Sequence, residues 1–247
     1  MKDVAVVVMA YKDNLTDMER VSFERCLNVF SRRDIYVACP LDMPKDEYAN
    51  INGYKTNINF INLERKWFNS VMSYSKMLMQ KWFYEMFSDY KYILIYQLDC
   101  YVFKDNLNYF MDMDYDYYGA PWLWTNVLRC VGNGGLSLRK VSAIIENLEE
   151  RADLDYINSD ECEYFIEDFA YCTGFFPLKN ICPYDVADKF SFETNILLRD
   201  PDKMTVEDFP MGCHGFSKED EIYYMGQPYT LKNLMGRAIK RWNELGQ

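Results

Sequence analysis

The sequence predicts an α/β fold of the Rossmann type, in which helices flank a mostly parallel central sheet. Strand and helix patterns alternate through the first half of the chain, which is typical of β-α-β units. Several strand segments are continuous apolar runs, as expected of strands that are covered on both faces. The chain has 247 residues, 49% of them hydrophobic. We therefore expect one continuous domain with its own core.

The predicted elements begin with an apolar strand at Val4–Met9. A helix follows, because Thr16 and Glu19 have the spacing of a capping box, in which each side chain accepts a hydrogen bond from the other residue's backbone N–H. Ile35–Ala38 is predicted as the second strand and Ile58–Ile61 as the third. This order places the first three strands in one parallel sheet.

A long helical pattern leads into the most apolar strand of the chain. Apolar residues recur at helical spacing from Phe68 to Phe87, and one helix is expected there. The strand Tyr92–Leu98 follows it directly. Thr230–Leu245 is predicted as a closing helix whose basic residues form a solvated face or make a weak contact with an anionic membrane or lipid-linked acceptor. Those residues are Lys232, Arg237, Lys240 and Arg241.

Composition excludes several classes of function. Asp and Glu total 38 against 27 Lys and Arg, and a net charge of −11 disfavours a general nucleic-acid binder. No apolar run approaches the roughly 20 residues that cross a bilayer, and Val4–Ala10 is too short for an export signal. None of the eight cysteines has C-x-x-C spacing. We expect reduced thiols in a cytoplasmic protein and no structural zinc site.

A carboxylate stands where the strongest strand ends. The run Tyr92–Phe103 leads from buried strand into Asp99, and ligands of open α/β sheets bind beyond the carboxyl ends of strands. A carboxylate buried there needs a partner, which a metal ion or sugar hydroxyls would provide. The alternative is that Asp99 caps the next turn.

Glycines surround an asparagine in Val131–Arg139. Such a turn lets a ligand approach the main chain, but its spacing predicts neither a dinucleotide nor an ATP site. Asn133 is a candidate to hydrogen-bond a hydroxyl. Arg139 could offset a phosphate charge or pair with a surface acid. A tight turn that enters a strand is the structural alternative.

Two further candidates lie later in the chain. Glu167 and Asp168 are adjacent carboxylates between aromatic residues, which suits either a general base or the start of a helix. His214 is the only histidine, and it lies between Gly212 and Gly215. It is either a structural residue or a group that reaches a metal or a phosphate.

Taken in order, these strings resemble a family of mostly bacterial glycosyltransferases with the GT-A fold. The matching strings are Q-x-D, D-Y-x-G-A-P-W, G-N-G-G-x-S-L-R, E-D and G-x-H-G-F, from the first strand to at least Phe216. The resemblance implies a single domain over residues 1–247. About 1–110 would form its nucleotide-sugar-binding half, and about 111–247 its acceptor and catalytic half.

The resemblance also implies roles for individual residues. Asp99 would bind a divalent metal, Mn²⁺ or Mg²⁺, that bridges the donor diphosphate, although Tyr101 replaces the second acid of the D-x-D motif. His214 would complete the metal or diphosphate site. Asp168 would deprotonate the acceptor hydroxyl, with Glu167 as its supporting group.

The remaining donor-binding residues follow from the same resemblance. Gly134 and Gly135 would line the donor sugar, with Asn133 and Arg139 beside them in the donor site. The strand end carrying Tyr11 and Lys12 would meet the nucleobase, with Tyr11 as the stacking partner.

We therefore expect a cytoplasmic glycosyltransferase that uses a UDP-linked or related donor, with inversion, in the synthesis of a surface polysaccharide or a related glycan. The acceptor would be a glycan, lipid-linked or protein hydroxyl, and a weak contact at the inner face of the membrane is a further expectation.

Two alternatives stay open. One is a non-catalytic carbohydrate-binding protein on the same fold. The other is a nucleotidyltransferase, for which Ala10–Leu15 offers no glycine- and lysine-rich triphosphate loop.

Overall fold

A six-stranded sheet forms the centre of the fold in the computed structural model, which describes residues 1–51, 57–123, 131–150, 156–157, 159, 162, 166–173 and 177–246. The strands of the described residues are β1 (Lys2–Met9), β2 (Asp34–Pro40), β3 (Ile58–Leu63), β4 (Tyr90–Gln97), β5 (Cys100–Val102), β6 (Tyr117–Tyr118), β7 (Leu136–Lys140), β8 (Ser191–Phe192), β9 (Gly212–His214), β10 (Glu221–Tyr224) and β11 (Gln227–Thr230). The order in the main sheet is β3-β2-β1-β4-β7-β6.

The main sheet is parallel at its centre and antiparallel at one edge. Strand β1 runs parallel to both β2 and β4, and β2 runs parallel to β3. Strand β7 is antiparallel to β4 and to β6. The predicted mostly parallel α/β sheet is confirmed, as are its first four strands within two residues at each end.

Helices cover both faces of this sheet. Those of the described residues are α1 (Asp17–Val29), α2 (Asp46–Ile51), α3 (Val71–Met77), α4 (Lys81–Glu85), α5 (Leu107–Asp112), α6 (Val141–Glu149), α7 (Glu167–Thr173), α8 (Tyr184–Phe190) and α9 (Leu231–Glu244). Alternate residues of β1 reach opposite faces: Val6 and Val8 belong to the core cluster that contains Phe23 of α1, whereas Val7 belongs to the one that contains Phe83 of α4. This period of two is what strand geometry requires.

The predicted capping box at the first helix is confirmed. The backbone N–H of Glu19 donates to Thr16 Oγ1, and the backbone N–H of Thr16 donates to Glu19 Oε2 at 2.9 Å. Helix α1 therefore begins where the sequence indicates. Its start lies beside the end of β1, so the cap also helps to shape the region beyond the strand.

The single helix predicted from Phe68 to Phe87 is wrong. The structure has a 3₁₀ turn followed by two short helices, α3 and α4, separated by residues 78–80. In a continuous helix the Leu78 carbonyl would accept from the backbone of residue 82. Here the hydroxyls of Tyr84 and Tyr171 donate to it at 2.9 and 3.0 Å. Tertiary hydrogen bonds thus replace the helical one, and apolar spacing alone does not reveal them.

A three-stranded sheet, β5-β9-β8, adjoins the main one, and the closing helix α9 belongs to the hydrophobic cluster around it. The prediction for α9 is confirmed, with Thr230 as its N-cap. Its basic side chains are paired with acids: Lys232 with Glu219, Arg237 with Asp200 and Asp202, and Lys240 and Arg241 with Glu244. A solvated, charge-compensated face accounts for them.

Two further observations concern the described residues as a group. None of the helices within them has the length and apolarity that a membrane span requires. Cys26, Cys39, Cys100, Cys182 and Cys213 are buried free thiols; Cys130 lies outside the described residues. The thiols behave as small core side chains, as expected.

Candidate active-site cleft

A cleft of about 1650 Å³ opens beyond the carboxyl ends of β1 and β4. It exceeds the roughly 300–1,000 Å³ of pockets that hold one drug-sized ligand, so it has room for two substrates side by side. Nine of the ten predicted site residues line it; these are Tyr11, Lys12, Asp99, Asn133, Gly134, Gly135, Glu167, Asp168 and His214. Arg139 is the exception.

The small sheet brings the first cluster of charged residues together. Antiparallel pairing of β5 with β9 sets Cys100 opposite His214, so Asp99 lies beside the imidazole. Parallel pairing of β8 with β9 sets Phe192 beside Cys213, which brings the next residue, Glu193, to the other side of the ring. Three segments far apart in sequence therefore meet at one end of the cleft.

His214 lies between two carboxylates. Its Nε2 is 3.2 Å from Asp99 Oδ1 and its Nδ1 is 3.2 Å from Glu193 Oε1. Burial alone would lower the pKa of His214, but the two carboxylates outweigh it and raise the pKa to about 9. The imidazole is therefore charged at neutral pH.

Lys218 adds a second cation at the same end of the cleft. Its Nζ lies 3.9 Å from Asp99 Oδ2 and 3.8 Å from Glu193 Oε1, and its side chain is 39% exposed. Burial would raise the pKa of Asp99, but His214 and Lys218 hold it at about 2. Asp99 is thus ionised at any physiological pH, and Lys218 is exposed enough to meet an anionic ligand.

Asp99 is the group at this end that suits a metal shared with a substrate. No group of three or more His, Cys, Asp or Glu side chains within the described ranges is arranged to hold a metal ion. Magnesium, however, is commonly bound by one or two carboxylates together with substrate phosphates and water. Asp99 supplies such a carboxylate. His214 would join it only after losing a proton from Nε2, with Glu193 orienting the ring through Nδ1, as carboxylates do for metal-bound histidines. Tyr101, in the second position of the motif, instead packs against Phe103 and Phe216.

The glycine turn forms the floor of the cleft. Asn133, and not a glycine, adopts the left-handed conformation, with φ of 61°, and its Oδ1 accepts from the Gly135 N–H at 3.2 Å. The Asn133 side chain thus stabilises the turn itself. Gly135 is required for close approach, because a Cβ there would lie 2.2 Å from His214 Nε2.

The turn also contacts the predicted base. The backbone N–H of Gly134 donates to Asp168 Oδ2 at 2.6 Å, so the glycine turn and the start of α7 are joined. Burial and the charge of Glu167 raise the pKa of Asp168 to about 7. A carboxylate with a pKa near the working pH is suited to accept a proton during catalysis. The helix-start interpretation also holds, since α7 begins at Glu167.

Arg139 does not reach the cleft. Its side chain is fully buried, and its guanidinium donates to Glu167 Oε1 at 2.9 Å, to the Tyr84 hydroxyl and to Ser137. Ser75 donates to the other Glu167 oxygen at 2.9 Å. The expectation that Arg139 offsets a substrate phosphate, or pairs with an acid at the surface, is therefore wrong. A buried ion pair beneath the turn holds Glu167 in place, and Asp168 follows it in the chain.

Tyr11 and Lys12 line the cleft just beyond the end of β1. Tyr11 is 47% exposed, and the Lys12 ammonium lies 5.3 Å from the centre of its ring. Lys12 also pairs with Glu19 at 2.6 Å, so α1 anchors this end. A half-exposed tyrosine ring in a cleft wall is a suitable surface for a planar base.

Aromatic side chains form the wall next to Asp168. Phe169 follows Asp168 in the chain, is 43% exposed and stacks on Trp122, with ring centroids 6.1 Å apart and an interplanar angle of 30°. A Cβ at Gly132 would lie 2.2 Å from the Trp122 ring, so the turn also seats this indole. A flat apolar surface thus lies next to Asp168.

Sequence reasoning missed Glu193 and Lys218. Glu193 has no neighbouring motif, and only the pairing of β8 with β9 brings it to the imidazole. Lys218 did carry a signal, because it follows His214 by four residues in the same segment. A charged residue so close after a candidate ligand belongs to the same candidate site.

Two solved structures with a similar fold are those of glycosyltransferases. The apo form of GlyE from Streptococcus pneumoniae TIGR4 superposes with a TM-score of 0.58 and 13% identity, over 99% of this chain and 62% of that chain. Mouse xyloside xylosyltransferase 1, in its apo form, has a TM-score of 0.53 and 11% identity, over 86% of this chain and 97% of that chain. The present chain thus has a glycosyltransferase-like fold of the GT-A kind, and it spans about 62% of the length of GlyE.

A family model described as "Protein of unknown function (DUF5672)" matches residues 57–214. The chain belongs to that family. The match extends from β3 to His214 and includes Asp99, the glycine turn and Asp168. No curated protein sequence matches the chain.

Proposed function

We propose that the protein transfers a sugar from a nucleotide-diphospho-sugar to a hydroxyl group of an acceptor, with inversion. The observation that carries the proposal is the arrangement of one cleft. A carboxylate with a pKa near 7, Asp168, shares it with the charged cluster of Asp99, His214 and Lys218. The two groups match the two charges that sugar transfer creates: a proton leaves the acceptor, and negative charge collects on the departing diphosphate.

In this reaction the acceptor oxygen attacks C1 of the donor sugar while the bond from C1 to the diphosphate oxygen breaks. Asp168 takes the acceptor proton, and the bonding electrons leave with the nucleoside diphosphate. Proton transfer to a positioned base typically contributes about 10² to 10⁴-fold to the rate. The Gly134 N–H holds Asp168 Oδ2, and so fixes the carboxylate against the floor of the cleft.

In this proposal the diphosphate of the donor binds beside His214 and Lys218, because their positive charges attract it. Lys218 is the exposed cation there, and preorganised charge stabilises a departing anion. A divalent ion, Mn²⁺ or Mg²⁺, would be held by Asp99 with the diphosphate oxygens, and by His214 once its Nε2 had lost its proton; the ion would supply further charge stabilisation. The overall charge of −11 makes such local cations necessary, since the protein as a whole repels a dianion.

UDP-sugars are the first candidates as donors, with Tyr11 as the surface for the base. The acceptor side is the wall of Phe169 and Trp122. This flat surface next to Asp168 fits the apolar face of a sugar ring better than an extended aliphatic chain, and it therefore favours a glycan acceptor.

A binding screen tests the proposal. Melting temperature is measured with UDP, UDP-sugars and other nucleotide sugars, with and without manganese, because a ligand bound only by the folded state raises stability. We expect stabilisation by at least one nucleotide sugar and by its nucleoside diphosphate. A carbohydrate-binding protein without transferase activity would respond to free sugars and ignore the nucleotides, and that result would contradict the proposal.

A further inference from the structure

An unpartnered hydroxyl lies in the wall of the cleft. Tyr74, in helix α3, lines the cleft, and its hydroxyl oxygen is buried without a hydrogen-bond partner among the residues that the structure describes. Gln97 is a polar neighbour, but its side chain and the Tyr74 hydroxyl do not have the distance and angles of a hydrogen bond. An unsatisfied buried hydroxyl costs about 1–3 kcal/mol, so a native protein retains one where something else bonds to it.

The surroundings of Tyr74 place it between Glu167 and His214. Ser75, the next residue, donates to Glu167, which precedes the proposed base. On the other side, Gln97 Oε1 is 3.2 Å from His214 Nε2. Burial and the nearby charge of Glu167 raise the pKa of Tyr74, so its phenol stays neutral and can both donate and accept a hydrogen bond.

We infer that the Tyr74 hydroxyl binds a hydroxyl group of the transferred sugar and so helps to determine which donor is used. The inference rests on the proposed function. C1 of the donor sugar must lie between the diphosphate and the acceptor oxygen, and therefore between His214 and Asp168. The sugar ring then passes along the wall that Tyr74 forms. A site built to bond a substrate hydroxyl rejects analogues that lack it, because the protein group is left unpaired.

The variant Tyr74→Phe removes only this oxygen. We expect it to be at least as stable as the wild type, since the hydroxyl has no bond within the described protein to lose. A clear drop in melting temperature would show that the hydroxyl is bonded inside the protein, and would contradict the inference. Tyr109→Phe, at a 46% exposed tyrosine outside the cleft lining, is the matched control.

Calorimetry then compares UDP with the UDP-sugar that gives the largest stabilisation in the screen. We expect Tyr74→Phe to bind UDP like the wild type and to bind the UDP-sugar about 10-fold more weakly. A second series uses donors that each lack one sugar hydroxyl. The wild type should bind one of these deoxy donors more weakly than the complete UDP-sugar, and Tyr74→Phe should bind that deoxy donor about as well as the wild type does. That pattern identifies the hydroxyl.

The two proposals fail separately. If the wild type binds the UDP-sugar, and Tyr74→Phe shows the same affinity and the same ranking of deoxy donors, the Tyr74 hydroxyl makes no bond to the donor and the inference is wrong. The transferase proposal would survive that result. If the wild type binds no nucleotide or nucleotide sugar, the proposed function fails, and this inference fails with it.

Discussion

The Gly134 N–H donates to Asp168 Oδ2 at 2.6 Å, which joins the glycine turn before β7 to the first turn of α7. The turn is also packed against His214, since a Cβ at Gly135 would overlap that ring. One short segment therefore contacts both His214 and Asp168. Any change that moves this turn should alter the surroundings of both side chains together.

The pH dependence of turnover should report Asp168. Burial and the charge of Glu167 raise its pKa from an ordinary 3.8 to about 7, and the base acts only when ionised. We expect kcat/KM to rise with pH through about 7 and then level off below the His214 pKa of about 9. Asp112→Asn, at an exposed carboxylate on α5, should keep the same profile. An unchanged profile in the residual activity of Asp168→Asn would mean that another group is titrating.

The raised pKa of Asp168 should also make the stability of the protein depend on pH. The folded protein holds the Asp168 proton more tightly than the unfolded chain, so this group makes the free energy of unfolding fall as pH rises from about 4 to 7. Asp168→Asn should therefore gain stability relative to the wild type above pH 7 and lose that advantage below pH 4. Denaturant titration at pH 4 and pH 8 measures the difference.

The buried pair of Arg139 and Glu167 should be strongly coupled. Both side chains are at most 3% exposed, so removing one leaves an unpaired buried charge, at a cost of about 3–5 kcal/mol. Arg139→Met and Glu167→Gln should each destabilise by that order, and the double variant by less than the sum. Additive effects in this cycle would show that the two charges do not depend on each other.

Lys218 should contribute to affinity for the diphosphate but not for the nucleoside. A hydrogen bond to a charged group contributes about 1.5–3 kcal/mol, so Lys218→Ala should weaken UDP binding about 10-fold or more and leave uridine binding unchanged. Lys203→Ala, at an 83% exposed lysine, serves as the control. Equal UDP affinity in the Lys218 and Lys203 variants would remove Lys218 from the site.

Asp99 should be needed for any effect of manganese on nucleotide binding. Asp99→Asn keeps the shape of the side chain and removes its charge, so calorimetry should show the same UDP affinity with and without manganese. The variant should keep its circular dichroism spectrum, since Asp99 lies beyond the end of β4 and its backbone carbonyl still binds Gly215. An undiminished manganese effect would contradict the assignment of Asp99.

Local patterns were sufficient for the first four strands of the main sheet and for the start of the first helix. Apolar runs located β1 to β4, and the Thr16–Glu19 spacing located the start of α1, because those features depend on neighbouring residues. The position of Glu193 beside the imidazole could not be predicted in this way, because it depends on the tertiary pairing of β8 with β9. The division between α3 and α4 depends on another tertiary feature, the two tyrosine hydroxyls on the Leu78 carbonyl.

Arg139 shows a further limit. In the sequence it follows a glycine-rich turn, which is where a phosphate-binding cation would be expected. The role of Arg139 depends instead on the burial of β7 and on Glu167, which lies 28 residues further along the chain. In the fold, Arg139 Nη2 is 2.9 Å from Glu167 Oε1. Burial of a charged side chain is visible only once the partner is known.

The most direct test of the account measures release of nucleoside diphosphate from nucleotide sugars, with manganese present, by the wild type and by Asp168→Asn. Water serves as a slow acceptor when no glycan is supplied, and a pool of oligosaccharides is added in parallel. We predict release by the wild type that oligosaccharides accelerate, and a loss of about 10² to 10⁴-fold in Asp168→Asn with donor binding retained. Equal rates in the two proteins, or binding without any release by the wild type, would contradict the proposal that this cleft transfers sugars.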